Sequence, residues 1–413
     1  MRACLFLACA ALAAAPGPQT FTLPSGLRCQ LLENHDQPLI RAELAVRWDG
    51  EPRPGLGGFL AQLMRAGGAG TYTRPEFNRA LDDLGITFGF ESGPGLYRWT
   101  LATDSRSQEP AMELLADAVF RPAFDMGTLG AQRLAVGRQF TAAGAQDRGR
   151  ARFLWALGDP SVELPLVAGA VDAMDFTELQ AFRRRVVRPE NASLVLHGDL
   201  SLVQAKELVF LHFGLWGPGP RTAPPGTTPQ AAAEPRLLEV LDGGEAELWA
   251  GRSAAGCDPA VRELLEDLLQ QLPRVLSPGL VGEWGVGPGR PLLLKVKAGA
   301  GARDGLVAAF LRTLEGMRTQ GFTEQDLDRA RARWKARVAA LPLHPQDLVR
   351  RLQEGVLDPA FAARVEAVRL KEVNEALAAL LAPADLRYLL LGGDAALVQK
   401  AEAAGLGPAV AIN

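Results

Sequence analysis

The chain has 413 residues, of which 48% are hydrophobic and 22% are charged, and its formal net charge is −3. This length exceeds what one ordinary core accommodates, so we expect a globular protein of two domains. The small negative charge argues against nucleic acid or an anionic membrane surface as the main partner.

The N-terminus has the composition of a secretory signal peptide. Arg2 precedes a short apolar run, and the alanines at 13–15 offer a small-residue cleavage site. We therefore expect residues 1–15 to be removed and the protein to be exported to the bacterial periplasm or beyond. Cys9 could carry a lipid anchor, but Phe6 is a poor residue three positions earlier, so anchoring is not expected. No later stretch has the roughly 18 continuous apolar residues of a membrane span.

Two cysteines remain after the signal peptide, Cys29 and Cys257, one in each half of the chain. Two are too few for a disulfide framework. We expect two buried thiols, and a bridge between the halves is the alternative.

The first half of the chain alternates short strands with amphipathic helices. Strands are predicted at 21–33 (two, around a turn), 39–48, 86–91, 96–103 and 192–199, and helices at 56–64, 73–84, 107–120, 125–146, 179–185 and 202–213. Thr73 is the expected N-cap of the second helix, with Glu76 completing a capping box and Gly85 ending it. A Pro- and Gly-rich linker at 217–235 separates a first domain, 19–216, from a second, 236–413.

The second half repeats this order of elements. Strands are predicted at 237–241, 247–251, 291–298 and 386–391, and helices at 259–272, 305–320, 323–341, 346–357 and 371–381. A strand that ends in Gly-Asp before a helix occurs in both halves, at 194–199 and 389–394. Two such copies indicate duplication of one α+β unit.

The first helix is the most informative element of the chain. Its apolar residues recur at helical spacing and form one buried stripe: Leu56, Phe59, Leu60, Leu63 and Met64. Gly58, Ala61 and Gln62 stand outside this stripe at the spacing i, i+3, i+4. That spacing suits a helical zinc site, but these three side chains offer no good metal donor.

Order and spacing resemble the pitrilysin, insulinase and mitochondrial-processing-peptidase family of zinc metallopeptidases. The resemblance rests on several weak motifs spread over the mature chain: Gly50-Glu51, the helix at 55–64, the turn at 67–72, Pro122-Ala123-Phe124, the run at 188–199 and the helix start at 322–330. It implies two tandem homologous α+β domains. Each would be a mostly antiparallel sheet with helices packed on one face, together forming half of a clam-shell around unfolded peptide.

The resemblance also states which side chains the zinc site requires. In the family, an inverted His-x-x-Glu-His on this helix binds zinc and activates water, and a glutamate about 76 residues later completes the ligands. The matching positions here are Gly58 and Gln62 for the histidines, Ala61 for the base, and Arg138 or Gln139 for the distal ligand. We therefore expect no zinc or other cofactor and no zinc-dependent peptide hydrolysis.

Other sequence features do not restore this chemistry. None of the four histidines, His35, His197, His212 and His344, has a second histidine or cysteine three or four residues away. Some family members place a substrate-gripping Arg and Tyr in the second domain. The matching stretch, 280–290, contains Arg290 and no tyrosine, and the family's Asn-Ala on the substrate-side strand is replaced near Gly89-Phe90.

Three functional hypotheses follow. The first is a non-catalytic partner subunit that forms part of a peptide-enclosing chamber with a zinc-bearing paralogue. The second is a stand-alone module that binds an unfolded peptide or protein segment as an added edge strand. The third is an active metallopeptidase whose ligands lie elsewhere in the sequence.

Overall fold

A computed structural model describes residues 17–48, 50–164, 167, 169–217, 235–242, 244–272, 275–277, 279–286, 290–299 and 301–412. The expected signal peptide, its Cys9 and all of the expected linker except Gly217 and Pro235 lie outside these residues. The described chain divides into two compact units.

The first unit contains the described residues up to Gly137, those from Val171 to the linker, and a segment from the second half, Arg337–Asp358. Its six-stranded sheet has the order β1-β2-β8-β3-β6-β5. The strands are β1 (Gln19–Thr22), β2 (Arg28–Glu33), β3 (Leu39–Arg47), β5 (Thr87–Gly93), β6 (Leu96–Asp104) and β8 (Ala192–Gly198). Only β2 and β8 run parallel in this sheet, so the predicted, mostly antiparallel sheet is confirmed. A separate two-stranded ribbon joins β4 (Gly68–Ala69) to β7 (Pro122–Ala123).

Helices follow the strands of the first unit, and their ends have clear local causes. They are α1 (Leu56–Ala66), α2 (Arg74–Asp83), α3 (Gln108–Phe120), α4 (Met126–Ala142), α6 (Phe176–Val186) and α7 (Leu202–Phe213). The predicted capping box of α2 is present, because Glu76 Oε2 accepts hydrogen bonds from Thr73 N at 2.8 Å and from Thr73 Oγ1 at 2.7 Å. Gly85 follows α2 with φ 63°, a conformation that glycine adopts readily.

The two faces of the first sheet are covered by different parts of the chain. Tyr97 on β6 donates a hydrogen bond to Gly57 O of α1 at 2.8 Å, which places α1 on the face that Tyr97 shares with Leu44 and Leu194. Side chains alternate along a strand, so Val195 points to the opposite face. There it packs against α11 (Pro345–Gln353), a helix from the second half of the sequence.

The second unit contains Arg138–Ala170, the described residues of the second half up to Ala336, and those from Pro359 onward. Its seven-stranded sheet has the order β11-β12-β13-β10-β14-β9-β15. The strands are β9 (Leu237–Val240), β10 (Ala246–Arg252), β11 (Val275–Ser277), β12 (Leu280–Gly285), β13 (Leu292–Ala298), β14 (Arg387–Leu391) and β15 (Ala409–Ala411). Its helices are α5 (Ala145–Ala156), α8 (Pro259–Leu269), α9 (Leu306–Gln320), α10 (Glu324–Ala340), α12 (Pro359–Ala367), α13 (Leu370–Leu380) and α14 (Ala395–Ala403).

The two sheets share one topology. The order β2-β8-β3-β6-β5 of the first corresponds to β9-β14-β10-β13-β12 of the second, with the parallel pair in the same place. A further correspondence concerns the helix from the other half of the sequence. As α11 does in the first unit, α5 packs its Phe153 against the second sheet, beside Trp249, Leu238 and Leu389. The predicted α+β fold built from two homologous units is therefore confirmed.

One predicted helix is wrong in its extent. The helix expected at 125–146 ends at Ala142, and α5 begins at Ala145. Gly144 has φ −64° and ψ 159°, an extended conformation that interrupts the helical hydrogen bonding. None of the helices in the described part of the chain combines the length and apolar character needed to cross a membrane.

Candidate functional site

Helix α1 holds the positions that the resemblance assigns to zinc. Leu56, Phe59, Leu60 and Leu63 are completely buried, so the predicted stripe fixes the helix on its sheet. Of the three positions outside this stripe, Gly58 and Gln62 are half-buried.

Ala61, at the position of the catalytic base, is 0% exposed. Its methyl group cannot take or give a proton, and no solvent reaches it. Gly58 has no side chain, and the amide of Gln62 is a feeble zinc ligand. The three positions that the resemblance assigns to zinc binding and catalysis therefore offer no set of metal donors.

Arg138 and Gln139, the alternative positions of the distal ligand, are exposed near the end of α4. They belong to the second compact unit, whereas α1 belongs to the first. An arginine cation at the distal position would repel a metal ion, and a glutamine amide would bind it weakly.

The histidines have other partners or surroundings. His35 is exposed, and its Nδ1 lies 2.7 Å from Asp199 Oδ1, a hydrogen bond that raises the pKa of the imidazole. His197 is buried on β8, where burial and the nearby Arg41 lower its pKa. His344 is exposed just before α11. Within the described ranges, no three His, Cys, Asp or Glu side chains are grouped as a metal site.

Cys29 and Cys257 are free thiols in this structure. Cys29 is buried on β2, and burial raises its pKa to about 12, so the thiol stays protonated and unreactive at neutral pH. Burial also raises the pKa of Cys257, which is half-buried.

Glu51 carries a carboxyl group beside α1, and the sequence identified this residue only as part of the Gly50-Glu51 motif. Burial raises its pKa to about 7, although hydrogen bonds from the backbone N–H groups of Gly55, Gly57 and Leu56 act in the opposite direction. Its carboxyl group thus lies at the N-terminus of the helix, where unpaired N–H groups favour an acceptor. An acidic residue a few positions before a helix is a recognisable signal, but its burial could not be read from the sequence.

Gly57 shows how closely Glu51 approaches the helix. A Cβ atom at this position would lie 2.6 Å from Glu51 Oε1 and 3.0 Å from the Trp48 ring. Both distances are shorter than normal contacts, so the close approach requires glycine.

The second unit has carboxylates at the positions that correspond to Gly58, Ala61 and Gln62 of the first unit. Helix α8 follows β10 as α1 follows β3, and its apolar pairs Leu264-Leu265 and Leu268-Leu269 match Phe59-Leu60 and Leu63-Met64. In this register three acidic residues correspond to Gly58, Ala61 and Gln62. They are Glu263, Glu266 and Asp267.

One of these carboxylates forms an ion pair with α10. Asp267 is 3% exposed, and its Oδ1 lies 3.7 Å from Arg333 Nε on α10. Glu263 is equally inaccessible at 5% exposed. The ion pair of Asp267 with Arg333 links α8 to α10 within the second unit.

The stretch 280–290, which the resemblance matches to the family's Arg and Tyr, begins with strand β12 (Leu280–Gly285). Trp284 on this strand is buried at 9% exposed, and Arg290 is exposed. The tyrosines do not supply a substitute. Tyr97 donates a hydrogen bond to α1, and Tyr388 is buried in β14. Tyr72, the third tyrosine, is exposed.

Part of the chain matches a known protein family. Residues 173–276 match the family model described as the peptidase M16 inactive domain. A search of curated proteins found no match.

Solved structures, one of them described as a peptidase M16 inactive domain, share the fold over nearly the whole chain. The peptidase M16 inactive domain from Pseudomonas fluorescens aligns with a TM-score of 0.71 at 17% identity, covering 92% of this chain and 99% of that one. A protease from Helicobacter pylori aligns at 0.68 and 14% identity, covering 91% and 99%. The periplasmic protease PqqL from Escherichia coli aligns at 0.67 and 15% identity, covering 94% of this chain and 49% of that one.

At such identities the structural likeness establishes the fold, and the family model identifies the matched region. M16 is the pitrilysin and insulinase family, so the resemblance recognised from the sequence is confirmed. The chain therefore has the fold of the M16 peptidases, and its residues 173–276 match the model of the family's inactive domain.

Proposed function

We propose that this protein is the non-catalytic subunit of a two-subunit M16 peptidase and contributes half of a peptide-enclosing chamber. The observation that carries the proposal is α1 itself. The helix is intact and its apolar stripe is buried, yet Gly58, Ala61 and Gln62 lack zinc donors and a base. An architecture kept without its chemistry suits a subunit that shapes the chamber while its partner carries the metal.

The partner would be a paralogue with an intact His-x-x-Glu-His helix, and the ligand an unfolded peptide or protein segment. PqqL supports a paired arrangement, because this chain aligns with about half of that protease, at 49% of its length. The periplasmic location of PqqL also favours export of this chain, as its N-terminal residues suggest.

Affinity purification of the tagged protein from its own cells tests the pairing. We expect a stoichiometric M16 protein that carries the zinc motif. Recovery of the tagged chain alone, as a monomer at native expression level, would contradict a two-subunit enzyme.

Reconstitution then assigns the chemistry to one subunit. The mixed subunits should cleave a denatured protein, and replacing the glutamate of the partner's zinc motif with glutamine should abolish cleavage. In contrast, Gln62→Ala in this chain should leave kcat unchanged, because Gln62 has no role in metal binding. A loss of activity in that variant would place catalysis on this chain.

A stand-alone peptide-binding protein is the second candidate, and the free outer edge of β5 favours it. This strand ends the sheet order of the first unit, so within the described residues its outer edge has no strand partner. An extended peptide could extend the sheet there through backbone hydrogen bonds. Peptide binding by a protein that is monomeric in its own cells would support this candidate over the two-subunit enzyme.

A further inference from the structure

A cavity of about 140 Å³ lies within the first unit, beside the edge strand β5. Its aromatic walls come from α2, β5 and β6, and residues of α1, α3 and β4 complete the lining. Phe77 and Phe88 meet edge to face with ring centroids 5.5 Å apart, and Phe90 stacks on Trp99 at 4.8 Å. Phe88 and Phe90 are half-buried, so the cavity borders solvent along β5.

Two arginines line this aromatic cavity, and they differ in their partners. Arg65 of α1 donates from Nε to Phe90 O at 3.3 Å and from Nη2 to Ser92 Oγ at 3.4 Å, so it is held against β5. Its guanidinium carbon also lies 5.2 Å from the centre of the Phe90 ring. Arg65 therefore serves as a wall of the cavity.

Arg74, the first residue of α2, has no such anchor. Its guanidinium lies 6.0 Å from the centre of the Phe77 ring, and no carboxylate of the described chain is within ion-pair distance. The group is half-buried, and burial lowers its pKa. A partly desolvated cation without an anion beside an apolar cavity is complementary to a carboxylate next to an apolar group.

The volume limits the size of that apolar group. A buried cavity of about 150 Å³ accommodates a benzene ring. The present cavity, at about 140 Å³, has room for one ring-sized or leucine-sized side chain. A long acyl chain would exceed this volume.

We propose that the cavity binds the C-terminal residue of a peptide that ends in phenylalanine or leucine. The apolar side chain enters the aromatic cavity, and the terminal carboxylate pairs with Arg74. A peptide is favoured over a free acid because β5 offers an unpaired strand edge to the preceding residues. This inference rests on the proposed peptide-binding function and names the class of peptide.

Calorimetric titration of the full chain tests the proposal. The probe is an acetylated hexapeptide that ends in phenylalanine with a free carboxylate, compared with the same peptide as its C-terminal amide. We expect the amide to bind about 10-fold more weakly or worse, because it loses a charge-assisted hydrogen bond. Arg74→Gln should remove this difference, whereas Arg79→Gln, at an exposed arginine of the same helix, should preserve it.

Each alternative result has a distinct meaning. Equal affinity for acid and amide would overturn the carboxylate site while leaving the proposed function intact. Absence of binding by either peptide would count against both proposals. If N-acetyl-phenylalanine bound as tightly as the hexapeptide, the ligand would be a free acid and the peptide assignment would be wrong. Equal thermal midpoints for the Arg74→Gln and Arg79→Gln variants show that both are folded.

Discussion

Replacement of Glu51 by glutamine should make the protein more stable at alkaline pH. The carboxyl group is buried at the N-terminus of α1, and its pKa is raised from 4.5 to about 7. A group whose pKa is raised on folding binds more protons in the folded chain than in the unfolded chain between these two values. The free energy of unfolding therefore falls as the pH rises from 4.5 to about 7 and then stays level.

The size of the effect follows from the difference in pKa. Ionisation of this carboxyl should cost the folded state about 3 kcal/mol, because each pKa unit corresponds to about 1.4 kcal/mol. Glutamine resembles the protonated acid in shape, and its Oε1 can accept backbone hydrogen bonds as the carbonyl oxygen of the acid does. Glu51→Gln should therefore equal the parent near pH 4.5 and exceed its stability by about 2–3 kcal/mol at pH 8.

Urea unfolding of the parent and the variant from pH 4.5 to pH 8.5, followed by circular dichroism, measures this difference. The control is Glu109→Gln, at an exposed glutamate in the first turn of α3. Glu109→Gln should lower the free energy of unfolding by less than about 1 kcal/mol. The carboxylate is solvated, so only its favourable interaction with the helix dipole is removed. If Glu51→Gln lost stability at pH 8, the reasoning would be refuted, and the carboxylate would be an ionised helix cap.

Three further substitutions test the packing around these sites by the same unfolding measurement. Ala61→Glu should destabilise the chain by about 2–4 kcal/mol, because it buries a carboxylate at a fully buried position, and an unchanged midpoint would mean that the position is open. Gly57→Ala should lower the free energy of unfolding by about 1–3 kcal/mol, because its Cβ would overlap two neighbours. Gly130→Ala, whose Cβ meets open space, should raise it by up to about 1 kcal/mol. Equal effects of the two substitutions would contradict the overlap at Gly57. Asp267→Asn should cost about 1–3 kcal/mol by removing the buried partner of Arg333, and a gain would show that desolvation outweighs the ion pair.

Local sequence patterns predicted the units of this fold well. The repeated Gly-Asp strand ends belong to β8 and β14, which occupy the same position in the two sheets. The stripe on α1 and the capping box at Thr73 also follow from side chains that are neighbours in the sequence. Gly58 and Ala61 carry no functional side chain, and their meaning could be interpreted only because the family resemblance states which residues the zinc site requires there.

Features that depend on distant parts of the chain were not predictable. The sequence predicts contiguous domains, whereas each compact unit also includes a segment from the other half, 138–170 or 337–358. An amphipathic helix such as α11 shows that it has a partner surface without showing which sheet provides it. The raised pKa of Glu51 and the lowered pKa of Arg74 likewise arise from burial that only the folded chain creates.

Zinc stoichiometry is the most direct test of the claim that α1 has lost its metal chemistry. The purified protein is incubated with excess zinc, separated from free metal by gel filtration and measured by plasma mass spectrometry. The account predicts far less than one zinc per chain and the same value for Gln62→Ala. One zinc per chain that falls in the Gln62→Ala variant would contradict it.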